Sequence, residues 1–470
     1  MLSNALLQSL NIKGLADDSR RVKPGDLFFS FPVENSLTFV KKALEQGALA
    51  IVAETEAPIE MKSRWIQVKN IKEARLQAAI YFYDNPFEKL NVHAITGTNG
   101  KTTSTFLMEA MLNAAGKKTA LIGTICNKIG NEVVPSSLTT PGLLDLFAFA
   151  SHALEKGCTD LVMEASSHAL DQGRVAGISF KTALFSNLTQ DHLDYHLTMD
   201  NYFEAKKTLF TKYLSKEGRA VINVDDVYGK RLFDSLDGNK IAVSRLKAEE
   251  AMISPEGQVF QSERGMSLHV PAISNQPFET HLCGDFNVDN VLLVLGFAKA
   301  LNIPEHAMRI ALENVRVHGR FELVYNKNKK HVVVDYAHTP DALERVLQTA
   351  RRLCQGTLAV VFGCGGDRDK TKRPLMGTIA MNNADVLWVT SDNPRSENPS
   401  DIIQDILKGI SKKENLNVVE NRAEAIQKAC LSMNDNDWLV IAGKGHENYQ
   451  IIGQTKHHFD DSEEVQKAML

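Results

Sequence analysis

The chain is poor in cysteine, in long apolar runs and in net charge, and each shortage excludes a class of protein. Its six cysteines are scattered through 470 residues and form no Cys-x-x-Cys pair, which argues against a disulfide framework or a zinc site. The net charge is −4, so the chain lacks the excess of positive charge that is typical of nucleic-acid-binding proteins. No apolar run is long enough to span a bilayer, and residues 1–7 lack the basic region and long apolar core of a signal peptide. We therefore expect a cytoplasmic protein that binds no nucleic acid and has no membrane span.

The length of the chain and its strand-helix pattern predict three α/β domains. Residues 1–90 contain short strands and helices and end near a turn at residues 83–86. Residues 91–315 alternate apolar strands with helices, except for a turn-rich stretch at 240–282 that predicts a small antiparallel patch. In residues 316–470 the alternation restarts with four strand-like runs, which is typical of a doubly wound parallel sheet.

The most informative stretch lies between a predicted strand and a predicted helix and reads Ile95-Thr-Gly-Thr-Asn-Gly-Lys-Thr-Thr103. Gly97 and Gly100 let the backbone turn tightly, so that successive N–H groups point at phosphate oxygens. Lys101 reaches the outer phosphates, and a hydroxyl of the two following threonines holds Mg²⁺. A plain glycine turn is the alternative, but the strand, the Gly-Lys-Thr-Thr sequence and the helix occur together and favour a nucleotide-phosphate site. The first glycine of the general P-loop is absent, so this is a shortened variant.

Two polar segments of the same region follow predicted strands and offer ligands for Mg²⁺. Glu164 ends one predicted strand, and His192 lies in the polar segment that follows the next predicted strand. Because Mg²⁺ prefers hard oxygen ligands and shares them with substrate phosphates, Glu164 is the first candidate ligand and His192 a contact to a second ion. The alternative is structural: helix capping by Ser166 and Asp191, and a hydrogen-bonded core histidine. The P-loop in the same domain favours the metal site.

Four polar segments of the C-terminal third each come directly after a predicted strand. They are Asp335, Gly363-Cys-Gly-Gly366, Asp392-Asn-Pro-Arg395 and Gly443-Lys-Gly-His-Glu447. Ligands of open α/β sheets bind beside the carboxyl ends of strands. We therefore expect these four loops to converge on one crevice.

Taken together, the motifs resemble those of the Mur ligases, the ATP-dependent amide-forming enzymes of bacterial cell-wall precursor synthesis. The resemblance covers essentially the whole chain. It is carried by the P-loop, Glu164-Ala-Ser-Ser-His168, Asp191-His-Leu-Asp194, Gly284-Asp-Phe-Asn-Val-Asp-Asn290, His318-Gly-Arg320 and Asp335-Tyr-Ala-His-Thr-Pro-Asp341. It implies a UDP-substrate-binding N-terminal domain, a central P-loop ATPase with a mostly parallel sheet and a Rossmann-like C-terminal domain. It also implies a monomeric enzyme with ATP and Mg²⁺ as cofactors.

The resemblance assigns roles to matching positions. The implied ATP contacts are Gly97, Thr98, Asn99, Gly100, Lys101, Thr102, Thr103, Asn290, Arg320 and Asp335. The implied metal contacts are Thr102, Glu164, His192 and Lys206, with Lys206 as a carbamate. The implied catalytic residues are Lys101, Glu164, His192 and Lys206. A carbamate turns a cationic amine into a carboxylate-like ligand. From the residues alone, Lys206 and Lys207 are indistinguishable and read as a solvated helix face.

The resemblance also implies the substrates. The contacts to a UDP-muramoyl-dipeptide are Ser19, Thr139, Thr140, Ser166, Gln172 and Arg174, although residues 31–37 depart from the glycine-rich stretch of the family. The contacts to the added amino acid, meso-diaminopimelate, are Arg368, Asp392, Asn393, Pro394, Arg395, Gly443 and Glu447. This amino acid differs from L-lysine by one remote carboxylate, which a planar guanidinium grips with two parallel bonds. ATP would activate the D-glutamyl carboxylate of UDP-N-acetylmuramoyl-L-Ala-D-Glu as an acyl phosphate.

Three other functions are weighed against this one. A lysine-adding ligase of the same family is opposed by Arg395, and a folylpolyglutamate synthase is opposed by the C-terminal motifs. A nucleotide-gated switch or binding module leaves the three-domain substrate motifs unexplained. For residues 392–395 themselves, an ordinary Asn-Pro turn with a solvated arginine is the structural alternative.

Overall fold

A computed structural model describes Leu2 and residues 4–136, 138–262, 265–411 and 414–469. Three large sheets follow one another along the chain. Within the described ranges, every helix is too short or too polar to cross a bilayer. The fold class predicted from the sequence, α/β with mostly parallel sheets, is confirmed; the domain boundaries near residues 90 and 315 stay predictions.

The N-terminal sheet has four parallel strands in the order β1-β2-β3-β4. Its elements are α1 (Asn4–Leu10), β1 (Gly14–Ala16), β2 (Asp26–Ser30), α2 (Ser36–Glu45), β3 (Ala50–Ala53), a 3₁₀ turn (Ile59–Arg64), β4 (Trp65–Gln67) and α3 (Ile71–Phe82). Every residue of β2 and β3 is buried, as expected for parallel strands covered on both faces. The short apolar runs in this part of the sequence therefore mark strands of a small α/β unit.

The central sheet has eight strands and carries the P-loop. Its elements are α4 (Pro86–Lys89), β5 (Asn91–Thr96), α5 (Lys101–Ala114), β6 (Thr119–Ile122), β7 (Cys126–Ile129), β8 (Glu132–Pro135), α6 (Leu143–Glu155), β9 (Asp160–Glu164), α7 (Ser167–Asp171), β10 (Phe180–Phe185), α8 (Leu193–His196), α9 (Met199–Thr208), a π-helical turn (Leu209–Tyr213), β11 (Leu214–Asn223), α10 (Val227–Ser235) and β12 (Lys240–Val243). The order is β12-β11-β10-β5-β9-β6-β7-β8. All neighbours are parallel except β6-β7-β8.

A second, antiparallel sheet follows the central one and confirms the patch predicted at 240–282. It consists of β13 (Glu256–Ser262), β14 (Gly265–His269) and β15 (Phe278–Thr280). Two helices then complete this part of the chain, α11 (Asp285–Ala300) and α12 (Glu305–Asn314). Helix α11 buries residues on all sides, which is the behaviour of a helix inside a core. It runs from the cavity described below into the core beside β11 and β12.

The C-terminal sheet has six strands in the order β16-β17-β21-β18-β19-β20, all parallel except the first pair. Its elements are β16 (Glu322–Lys327), β17 (Lys330–Asp335), α13 (Pro340–Leu353), β18 (Leu358–Phe362), α14 (Lys372–Asn383), β19 (Val386–Val389), α15 (Pro399–Leu407), β20 (Leu416–Val418), α16 (Arg422–Leu431), β21 (Trp438–Ala442), the hairpin β22 (Tyr449–Ile452) and β23 (Thr455–His458), and α17 (Asp461–Met469). Two separate apolar clusters cover the two faces of this sheet. The predicted doubly wound arrangement is confirmed.

A buried ion pair joins three elements of the C-terminal unit. Arg422 donates two bonds of 2.7 Å to the carboxylate of Asp461 and one of 3.1 Å to the carbonyl of Ala442. Both charged side chains are fully buried. The pair therefore fixes the starts of α16 and α17 to the end of β21.

We expect Arg422→Ala to lower the free energy of unfolding by about 3–5 kcal/mol, because it leaves the Asp461 carboxylate buried without a partner. Lys428→Ala is the matched control, since its pair with Glu424 is exposed, and it should cost less than about 0.5 kcal/mol. Urea denaturation of the two variants and the parent chain measures both values. Equal losses for the two variants would contradict this assignment.

Candidate active site

A cavity of about 360 Å³ lies between the central and C-terminal sheets. Its walls come from the P-loop, from the ends of β9, β10 and β17, from the start of α11 and from one side of α13. Among the predicted ATP contacts, those on the cavity wall are Thr98, Asn99, Gly100, Lys101, Thr102, Thr103, Asn290, Arg320 and Asp335. The structure thus brings both halves of the predicted nucleotide site to one cavity.

The shape of the P-loop depends on its two glycines. Gly97 and Gly100 have φ angles of 150° and 85°, values that side-chain-bearing residues rarely adopt. A Cβ at Gly97 would lie 1.9 Å from Oγ of Ser186, and a Cβ at Gly100 would lie 2.2 Å from Oδ1 of Asn290. The loop therefore packs too closely against its neighbours for any other residue. Gly97 is not itself on the cavity wall, but its carbonyl accepts bonds from two lysines.

These lysines are Lys101 and Lys206. Nζ of Lys101 donates to the carbonyls of Gly97 and Thr98 at 3.0 and 2.9 Å, and Nζ of Lys206 donates to Gly97 at 2.8 Å. Burial lowers the pKa of Lys101, and burial together with the charge of Lys101 lowers the pKa of Lys206 far below its ordinary value. Lys207 instead is partly exposed beside Glu204. The structure thus separates two lysines that the sequence left equivalent.

The predicted metal contacts Thr102, Glu164 and His192 all line the cavity. Glu164 is fully buried, and its carboxylate accepts bonds of 2.8 and 3.0 Å from the backbone and hydroxyl of Thr124. The described part of the chain contains no cluster of three or more His, Cys, Asp or Glu side chains arranged around a metal. An Mg²⁺ ion here would complete its ligand set with water or bound phosphate.

The structural alternative for these segments holds in part. Ser166 does cap α7, since its hydroxyl accepts a bond from the N–H of Ala169 at 3.3 Å. Asp191 is wrong as a cap, because the N-cap of α8 is His192. A core position for His192 is also wrong: its side chain is 45% exposed and faces the cavity, with its ring 4.9 Å from that of His168.

The C-terminal half of the cavity is formed by Asp335 and Arg320. Asp335 is buried, which raises the pKa of its carboxyl to about 6, and it accepts a 2.6 Å bond from the N–H of Phe321. Arg320 stacks over Tyr336 at 4.8 Å and donates to the hydroxyl of Thr102 at 3.2 Å. This last bond joins the C-terminal unit directly to the first turn of α5.

The predicted muramoyl-dipeptide contacts form one hydrogen-bonded chain, apart from Ser19. Arg174 donates to the side chain of Gln172 at 2.7 and 2.9 Å and to the carbonyl of Thr140 at 2.9 Å. Thr140 lies 3.2 Å from Ser166, and Thr139 lies 3.0 Å from Thr124, which also holds Glu164. This chain therefore extends directly from the wall of the cavity.

Ser19 lies in the N-terminal unit, in the loop after β1, and is buried. Its neighbour Arg21 donates two bonds of 2.9 and 2.5 Å to Asp145. Asp145 is in the first turn of α6, which begins three residues after Thr140. This ion pair connects the Ser19 loop to the helix that follows Thr139 and Thr140.

The four C-terminal loops converge as predicted. Gly443 donates to the carbonyl of Asp335 at 3.1 Å, and Gly366 donates to that of Asn393 at 2.9 Å. Asn393 donates to Glu447 at 2.8 Å. Asp392, Asn393 and Pro394 are buried and Arg395 is half-buried, which disfavours the alternative of an ordinary Asn-Pro turn with a solvated arginine.

Arg395 is half-buried with a positive φ of 52°. Its Nη1 donates to the carbonyl of Gly366 at 2.7 Å, and its backbone N–H donates to Ile451 at 3.1 Å. A Cβ at Gly365 would lie 2.9 Å from this guanidinium, so the glycine-rich loop makes room for it. Arg368, by contrast, is exposed and donates to the carbonyl of the adjacent Asp367 at 2.9 Å.

Sequence reasoning missed Lys444. Its side chain is fully buried, and Nζ lies 3.2 Å from both Asn393 and Glu447. The one signal in the sequence was its position between two glycines in the Gly-Lys-Gly-His-Glu motif. Lys444 thus fixes two predicted contacts to the amino-acid substrate.

Comparison with known proteins defines the class. The chain matches the model of the Mur ligase middle domain over residues 95–298 and that of the Mur ligase glutamate ligase domain over residues 319–445. With the three sheets and the shared cavity, this shows that the chain belongs to the Mur ligase family of ATP-dependent, amide-forming ligases.

Individual relatives are similar over nearly the whole length. The UDP-N-acetylmuramoyl-L-alanyl-D-glutamate–2,6-diaminopimelate ligases of Geobacter metallireducens and Aquifex aeolicus are each 42% identical to the chain. The alignments cover 98% and 97% of this chain and 94% of each relative. A solved structure of a ligase with the same name is 34% identical, with a TM-score of 0.70 over 97% of this chain and 94% of that one.

Proposed function

We propose that this chain adds meso-diaminopimelate to UDP-N-acetylmuramoyl-L-Ala-D-Glu, with ATP converted to ADP and phosphate. The observation that carries the proposal is the position of Arg395, half-buried in the same loop cluster as Asn393 and Glu447. A guanidinium there offers two parallel donors to a remote carboxylate. The carboxylates of Glu447 and Asp392 suit the distal ammonium group. Full-length relatives with this activity in their names support the same conclusion.

The first chemical step transfers the γ-phosphoryl group of ATP to the D-glutamyl γ-carboxylate. Because two anions approach each other, neutralising charge is the main requirement. Lys101 supplies a cation at the P-loop, and the first turn of α5 adds its N-terminal dipole. The product of this step is an acyl phosphate and ADP.

Mg²⁺ fits the residues at this site. Within the described residues, the buried Glu164 carboxylate has hydrogen bonds from Thr124 but forms no salt bridge, so a cation would balance its charge. Glu164 and Thr102 would hold the ion, with His192 near a second one, and the ions would neutralise phosphate charge during transfer.

In the second step the amine of diaminopimelate attacks the acyl carbon, an amide bond forms, and phosphate leaves.

We propose that Lys206 is carbamylated. Burial lowers the pKa of this amine well below its ordinary value, which favours the neutral form, and only a neutral amine attacks CO₂. A nitrogen–carbon bond then forms and one proton is released. The resulting carbamate oxygens would serve as hard ligands in a place where the bare side chain offers only a donor.

We expect Lys206→Ala to lower the ligation rate by about a hundredfold or more, because a ligand of the phosphate-neutralising site is lost. Lys207→Ala is the adjacent control and should stay within about twofold of the parent. Carbon-13 NMR with labelled bicarbonate should show a carbamate resonance in the parent and in Lys207→Ala only. Its presence in Lys206→Ala would contradict the assignment.

The proposed function is tested by phosphate release from ATP. For a ligase of this kind, release requires the UDP-muramoyl-dipeptide and diaminopimelate together, and omission of either should bring it to background. Release from ATP alone would instead favour a nucleotide switch.

We further propose that the enzyme acts as a monomer in the cytoplasm, where ATP and the UDP-linked substrate are available.

A further inference from the structure

Asp341, at the start of α13, contacts the P-loop across the cavity. Its Oδ2 accepts bonds from Nδ2 of Asn99 at 3.2 Å and from the hydroxyl of Thr189 at 3.4 Å. Its other oxygen, Oδ1, is held by Nε of Arg345 at 3.0 Å. Asp341 closes the Asp335–Asp341 motif, and none of the functions assigned above uses it.

The backbone of Asn99 is fixed, so its side chain has a defined direction. Its N–H donates to Asn187 at 3.0 Å, and its carbonyl accepts from Asn187 at 3.2 Å and from Ser186 at 2.6 Å. These partners lie just after β10, inside the central unit. The Asn99 amide therefore extends from a rigid loop to the carboxylate of Asp341 in the C-terminal unit.

Helix α13 contacts the central unit at its other end too. Arg352 donates to Asp285 at 2.5 Å, and a Cβ at Gly284 would lie 2.8 Å from the methyl of Thr349. Positions 341, 345, 349 and 352 share one helical face. Arg345 and Val346 lie between the two ends and form part of the cavity wall. One face of α13 thus lies along the cavity, with Asp341 at the end nearest the P-loop.

We propose that Asp341 is a positioning residue for the nucleotide. By holding Asn99, it keeps the P-loop in register with the C-terminal contacts Arg320 and Asp335, so that one ATP molecule meets both sets. Without this bond, more of the protein molecules would adopt arrangements in which the P-loop and the C-terminal contacts are apart. The apparent affinity for ATP then falls in proportion to the fraction of molecules in the binding-competent arrangement. The inference rests on the proposed ATP-dependent function only for the identity of the ligand.

The test is a double-mutant cycle read by calorimetric binding of a non-hydrolysable ATP analogue. Asp341→Ala should weaken binding about tenfold. Asn99→Ala also removes a residue of the cavity wall and should weaken binding at least as much, and the double variant should be no weaker than Asn99→Ala, because Asp341 acts through Asn99. Asp341→Asn keeps an acceptor oxygen and should stay within about threefold of the parent. Asp234→Ala removes an exposed pair on α10 and should leave binding unchanged.

Two results would overturn the proposal: fully additive losses in the double variant, or a loss in Asp341→Asn as large as in Asp341→Ala. The second result would mean that the negative charge of Asp341 at the start of α13, and not its bond to Asn99, is what strengthens binding of the analogue. Because the analogue is bound without being turned over, the outcome is independent of the ligation reaction. A parent chain that binds the analogue but forms no product would refute the proposed function and leave this inference standing.

Discussion

Lys101→Ala should leave the chain folded and lower the steady-state rate of product formation by about a thousandfold or more. Lys101 lies on the cavity wall in the first turn of α5. Its Nζ donates to two P-loop carbonyls, which are weaker partners than a phosphate anion. The truncation removes the fixed positive charge that neutralises the transferred phosphoryl group. Product formation with saturating substrates measures the loss.

Lys181→Ala is the control for this experiment. Lys181 is an exposed lysine on β10 that bonds to Asn91, in the same sheet but outside the cavity. It should keep the parent rate within about twofold. Unchanged thermal unfolding of Lys101→Ala would show that the fold is intact. Near-normal ATP-dependent turnover by that variant would refute the role of Lys101.

Arg395→Ala should abolish the preference for diaminopimelate over lysine. A site built to pair a charge rejects the analogue that lacks it by about 10⁴ or more, so the parent should favour diaminopimelate by that factor in kcat/KM. The variant should lose most of its activity with diaminopimelate and gain little with lysine. Its kcat/KM values for the two amino acids should therefore become similar. Ligation assays with each amino acid measure the ratio.

Arg231→Ala is the matched control, because Arg231 is an exposed arginine paired with Asp200 on the central unit. Its selectivity should equal that of the parent. A variant at position 395 that still prefers diaminopimelate by the parent factor would show that another group recognises the remote carboxylate. The exposed Arg368 would then be the first residue to examine.

Much of the fold follows from local sequence. Strands β9 and β18 are buried at all five positions. Accordingly β18 is apolar throughout, and β9 has three apolar residues between Asp160 and Glu164. Strand ends follow less directly from the sequence, as at β10, which begins at Phe180. The exposed Lys181 interrupts the apolar run there. A charged residue on a partly solvated strand end hides that end from pattern reasoning.

The candidate site was predictable where local geometry demands a residue type. The glycines at 97 and 100 are required by positive φ angles and close contacts, and such requirements are visible in a single sequence. The choice of Lys206 over Lys207 was not, because it depends on how α9 packs against the P-loop. Lys444 and Asp341 were missed for the same reason, since their partners Asn393 and Asn99 are distant in sequence.

The account depends most on the identity of the amino acid that is joined to the UDP-muramoyl-dipeptide. Its most direct test is mass spectrometry of the product formed from that substrate, ATP and an equimolar mixture of meso-diaminopimelate and L-lysine. We predict a product that carries diaminopimelate, with lysine incorporation below about one part in a thousand. Comparable incorporation of the two amino acids would contradict the account.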